Sequence, residues 1–139
     1  MSDIATRARL VPGVSQFPVE WYFDEQLFEL EKKLIFAAGP GYAGHELMVP
    51  ELYNYLSTEW NDHAQILVRQ PDGVYRMSNV CRHRQAVMLQ GSGTAQNIVC
   101  PIHRWTYDMQ GQLIGAPHFP ANPCLNLDKQ RLESWNGLL

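Results

Sequence analysis

Cysteine is scarce in this chain, and the three present form an odd set. A framework of disulfides, which uses cysteines in pairs, is therefore not what holds it together. An excess of positive charge is missing too. Eleven Lys and Arg stand against 14 Asp and Glu, for a formal net charge of -3. That leaves no clustered basic face for nucleic acid. No apolar run approaches the ~20 residues that span a bilayer, and Met1 to Thr6 lacks the hydrophobic core of a signal peptide. These absences point to a cytoplasmic chain with neither a nucleic-acid nor a membrane partner. There is no internal repeat and no low-complexity tract, and 139 residues suit one core. In a reducing compartment, cysteines beside histidines are metal ligands or catalysts rather than crosslinks.

The expected elements follow from spacing. Met1 to Pro18, with Pro12, Gly13 and Pro18, reads as an extended arm. Asp24 suits a helix N-cap. Phe23, Leu27, Leu30 and Leu34 then recur at helical spacing, which makes one face apolar. Glu29 and Lys33 form a favourable i,i+4 pair, and Gly39-Pro40-Gly41 ends a helix of about three turns. After Pro50 the pattern becomes β. Ala64 to Gln70 and Val74 to Val80 flank the turn Pro71-Asp72-Gly73 as a hairpin. Gly91 and Gly93 mark a turn before a strand over Ala95 to Val99. Trp105 to Asp108 and Leu113-Ile114 flank Gln110-Gly111 as a further hairpin, and Arg131 to Leu139 reads as a last strand. Residues 1–50 are thus expected to form an arm and helix, and residues 51–139 a β domain.

Two of the cysteines sit in short mixed pairs, Cys81-Arg82-His83 and Cys100-Pro101-Ile102-His103. Each pair follows a predicted strand, so each falls at a hairpin tip. Two facing tips present two thiolates and two imidazoles to one site, which is what a two-iron, two-sulfide cluster needs. Neutral imidazoles in place of two thiolates make the cluster less negative. They raise its potential to roughly −150 to +300 mV, against about −400 mV for an all-cysteine ferredoxin. The alternative is structural zinc, which also accepts two Cys and two His. Its fingers favour C-x₂₋₄-C and H-x₃₋₅-H pairs, unlike the mixed pairs here.

The segments CRHR (Cys81 to Arg84) and CPIHRWTYD (Cys100 to Asp108) resemble the Rieske domain of ring-hydroxylating and related non-haem iron oxygenases. The 16 residues between His83 and Cys100 fit that family's gap. DGVYRMSNVCRHR and YDMQGQLIGAPHF resemble its approaches to the two loops. FELEKKLIF followed by GYAGHEL resembles the lead-in of an oxygenase alpha subunit. The resemblance implies a mainly β fold of small antiparallel sheets with an N-terminal helical lead-in. It implies one Rieske-type 2Fe–2S cluster per chain, with Cys81 and Cys100 on one iron and His83 and His103 on the other.

It further implies an electron donor, either a reductase or a ferredoxin. The acceptor would be a mononuclear iron in a C-terminal catalytic domain that this sequence does not contain, within a possible homotrimer. A stand-alone Rieske ferredoxin is the other reading. Two positions depart from the family's commonest pattern: Gln85 and Arg104 stand where glycine is usual. Ala86 and Ile102 occupy the positions where the respiratory type of Rieske protein carries an extra disulfide.

Other residues admit two readings each. Trp105 and Tyr107 either shield the cluster, with Tyr107 donating to a cysteine sulfur, or simply pack. Arg82, Arg84 and Arg104 either steer an acidic donor or are solvated loop charges. His118 either approaches the site or is an ordinary loop histidine. Cys124 reads as a buried small hydrophobe.

Overall fold

The computed structural model describes residues 17–61 and 63–139. Most of the extended arm expected over Met1 to Pro18 lies outside them. The chain divides into two units, with the boundary in sequence between Gly41 and Tyr42.

The first unit is helical. A 3₁₀ turn over Val19–Phe23 leads to helix α1, Glu25–Glu31. Asp24 caps α1 as expected, its Oδ1 accepting the Gln26 and Leu27 amides at 2.8 and 3.1 Å. The helix then widens into a π turn over Lys32–Phe36, closed by Ala37 N–H donating to Lys32 O at 2.8 Å. Phe23 falls in the 3₁₀ turn and not on α1. The charge pair forms between Glu29 and Lys32, one residue earlier than the expected Glu29–Lys33. None of these helical residues is buried, and the apolar face stays largely open.

The second unit is β. A five-stranded antiparallel sheet runs in the order β4-β1-β2-β3-β8. Its strands are β1 (Asn54–Ser57), β2 (Gln65–Gln70), β3 (Gly73–Ser78), β4 (Ser92–Thr94) and β8 (Lys129–Arg131). A three-stranded sheet comprises β5 (Asn97–Val99), β6 (Thr106–Asp108) and β7 (Leu113–Gly115). The expected β2–β3 hairpin forms, paired from Gln65 opposite Ser78 to Gln70 opposite Gly73, so Gly73 belongs to the strand and the turn is Pro71-Asp72 alone.

Strand β2 explains why Ile66-Leu67-Val68 is continuously apolar instead of alternating. Successive side chains point to opposite faces, and both faces are covered. Ile66 and Val68 join Met77, Met88, Ile98, Trp105, Tyr107, Met109, Leu113 and Leu127 in a core drawn from both sheets. Leu67 joins Val49, Val74 and Leu139 on the other face. Gln70, on the Ile66 face, is buried but satisfied: its Nε2 donates to Met109 O at 2.8 Å, tying one sheet to the other.

Two expectations need correction. Ser92–Thr94 forms an edge strand against β1 instead of continuing the turn at Gly91. Asn54–Ser57, to which the sequence reading assigned no element, is also a strand, paired on both sides. Arg131 to Leu139 is not one strand. Asn136 and Gly137 both adopt positive φ (50° and 83°), so the chain reverses and Trp135 pairs with Leu138. Asn-Gly is a strong tight-turn signal.

The β6–β7 turn rests on Gly111 at φ 83°. Asp108 Oδ1 accepts the Gln110 and Gln112 amides, and a Cβ at Gly111 would lie 2.8 Å from Met77 Sδ. Backbone strain and this clash act together, so Gly111→Ala should destabilise the fold by about 2 kcal/mol, read as a lower midpoint of chemical denaturation.

Candidate metal centre

Both mixed Cys/His pairs sit where strands end. The first lies between Val80 and Val87, which form an isolated bridge, and the second between β5 and β6. Both loops close in the same way. Cys81 N–H donates to Ala86 O at 2.9 Å and Gln85 N–H to Cys81 O at 2.9 Å. Cys100 N–H donates to Trp105 O at 2.8 Å and Arg104 N–H to Cys100 O at 3.1 Å. In each loop the fifth residue must turn into the left-handed region for both bonds to form. Gln85 and Arg104 both have φ 57°. These are the two positions where the sequence lacks the expected glycine, so here side-chain-bearing residues occupy a conformation that glycine holds without steric cost.

The loops bring all four candidate ligands into one region. Cys81 and Cys100 are free, buried thiols within the main core. The His83 and His103 rings lie 4.6 Å apart, edge to face at 74°. Their Nδ1 atoms are both buried and have no hydrogen-bond partner. Two orphaned imidazole nitrogens at one place carry a real desolvation cost unless something binds them, and a metal is what an imidazole lone pair binds. Burial first, then the neighbouring His103 and Arg84, push the His83 pKa below the usual imidazole value, which favours the neutral, ligating form.

Tyr107 is fully buried. Its hydroxyl accepts the Arg82 amide at 3.1 Å and lies 3.6 Å from Cys81 Sγ. Because the oxygen is already an acceptor, its own proton is free for the sulfur. Burial, then the Cys81 contact, hold its pKa well above the ordinary phenol value, so it remains a donor.

The Rieske [2Fe-2S] domain family model matches residues 44–133, well over half of the chain. The chain belongs to this family. As a Rieske domain it carries a Rieske-type [2Fe–2S] cluster, and the orphaned Nδ1 atoms beside two buried thiols fit that group. Among its relatives, putrescine 2-hydroxylase of Ralstonia nicotianae is 55% identical over 139 residues, covering 100% of this chain and 38% of that protein. Putrescine 2-hydroxylase of Bordetella bronchiseptica is 47% identical over 154 aligned residues, covering 100% of this chain and 36% of that protein. A solved quaternary ammonium Rieske monooxygenase with L-carnitine superposes with a TM-score of 0.67 at 28% identity, over 88% of this chain and 37% of that one. This Rieske domain thus spans little more than a third of the curated relatives it matches.

The other histidines of the Rieske domain stay out of the site's ring cluster. His45 Nδ1 accepts the Leu47 amide, His63 Nδ1 meets Ser57 Oγ at 3.0 Å, and His118 is exposed at φ 71°. Cys124 is exposed, contrary to its reading as a core residue, because a proline-rich loop carries it to the surface. Arg82 meets Asp128 at 3.4 Å in an exposed pair worth little. No helix of the described residues is long and apolar enough to cross a membrane.

Two supporting residues escape a reading of the sequence alone. Asn79, fully buried, donates to His63 O and Leu89 O and accepts from Leu89 N–H, fastening the first loop two residues before Cys81. An asparagine at the end of a β run was its signal. Phe119 packs edge-on against His83 and Trp105; no sequence spacing links it to either.

Relieving the left-handed strain should stabilise the domain. Gln85→Gly and Arg104→Gly are each expected to raise the unfolding free energy by about 1 kcal/mol, measured on the cluster-loaded protein. A loss of stability would show that their side chains contribute more than the strain costs.

Proposed function

We propose that Cys81, His83, Cys100 and His103 hold the cluster, and that the chain is the electron-transfer domain of an oxygenase alpha subunit. The observation that carries this reading is the pair of buried, unpartnered Nδ1 atoms beside two buried free thiols. When bound, the cluster supplies reversible one-electron chemistry at a potential tuned by its hydrogen bonds and burial. The protein's own part is to keep the cysteines in a dry core, to hold the imidazoles at its edge, and to offer the Tyr107 proton to Cys81. A zinc site would gather its donors around one ion.

The electrons would come from a reductase or ferredoxin and pass to a mononuclear iron in a separate catalytic domain. Residues 51–139 would form the electron-transfer domain and residues 1–50 its lead-in, in an alpha subunit that assembles as a trimer in the cytoplasm. The relatives matched along the whole chain are named for putrescine hydroxylation. An aliphatic polyamine is therefore the first substrate class to test with a full-length protein.

Loaded protein should be red-brown, with two irons and two acid-labile sulfides per chain by metal and sulfide analysis. Cys81→Ser and Cys100→Ser should each abolish the visible spectrum, and Cys124→Ser should leave it unchanged. Stoichiometric zinc without sulfide after anaerobic reconstitution would overturn the assignment.

This chain alone should accept an electron from dithionite yet oxidise no substrate. All its proposed ligands are committed to the cluster, and oxygen activation needs a mononuclear iron with vacant positions. Single-turnover assays with oxygen and polyamine, quaternary-amine and aromatic substrates should show reoxidation without product. Stoichiometric hydroxylated product would reveal a catalytic site in this chain.

A further inference from the structure

The two histidines are not held alike. The Trp105 indole stacks on the His83 ring, with centroids 4.9 Å apart and planes within 8°. Phe119 meets His83 edge-on at 5.9 Å and 89°, and meets Trp105 edge-on at 5.2 Å and 83°. Three rings therefore lock one another: a stacked pair fixes the imidazole plane, and a third ring stops that pair from sliding. Aromatic pairs in these geometries have real orientational preference beyond the area they bury. Among the described residues, the His103 ring meets one other ring, that of His83. Trp105 is only 1% exposed, and its position is set by the core and by the loop-closing bond from Cys100. Phe119 is 43% exposed and comes from the proline-rich loop, so it is the adjustable part of the bracket.

We propose that Phe119 is a positioning residue, which with Trp105 brackets His83 and makes the two imidazoles inequivalent. His83 keeps a fixed ring plane, while His103 depends on its own loop. This rests on the assignment of His83 and His103 as ligands. A restrained ring presents its nitrogen to the metal in one orientation, whereas a freed ring samples several.

The test uses cluster-loaded full chain, reduced with dithionite, and pulsed electron paramagnetic resonance that resolves the coupling of each ligating nitrogen. The unmodified protein should give two distinct nitrogen couplings. In Phe119→Ala one of them should shift and broaden while the other stays in place. Phe119→Leu, which keeps apolar bulk without a ring edge, should do the same, and Phe119→Tyr should restore the original pattern. Phe119 is part-exposed, so thermal unfolding of these variants should change little. Unchanged couplings in both Phe119→Ala and Phe119→Leu would overturn the bracket. Absence of two histidine nitrogen couplings in the unmodified protein would instead overturn the ligand assignment on which it rests.

Discussion

Each candidate ligand loop is closed at its neck by the same two backbone hydrogen bonds, and the site depends on that closure. The cysteine amide is tied to a carbonyl five residues on, and the cysteine carbonyl to an amide four residues on. The thiol is thereby fixed at the core side of the loop, and the histidine projects from the tip. The cost of the closure falls on one residue per loop, which must adopt left-handed φ. Gln85 and Arg104 bear that cost despite their side chains.

The two sheets serve this arrangement. One candidate loop follows the five-stranded sheet and the other joins two strands of the three-stranded sheet. Any slip between the sheets would move one thiol relative to the other. The shared core of Ile66, Met77, Ile98, Trp105 and Tyr107 resists that slip, as does the Gln70 bond to Met109. Tyr107 links the loops most directly, since it lies on β6 beyond the second loop yet binds the Arg82 amide and approaches the Cys81 sulfur of the first. A packed core thus acts as the ruler that sets the distance between two otherwise separate tips.

Much of this was legible in the residues. The C-x-H and C-x₂-H pairs after β runs, with their gap, named the four candidate ligands and the cluster type. Pro-Asp-Gly named the β2–β3 hairpin, and Asp24 named the helix start. These features are local: turn chemistry, capping and loop spacing act over a few residues, so sequence alone determines them.

Other features needed the folded chain. Asn54–Ser57 became a strand because two partners were available, and Cys124 came to the surface because the proline-rich loop carried it there. The right-handed or left-handed state of Gln85 and Arg104 was decided by loop closure, and the Phe119 contact with His83 by the return of a distant loop. By itself the sequence determined which chemistry the chain can hold, because ligand identity and spacing are written locally. Only the tertiary structure decided that the two histidines differ, because ring packing depends on segments far apart in the chain being brought together by burial.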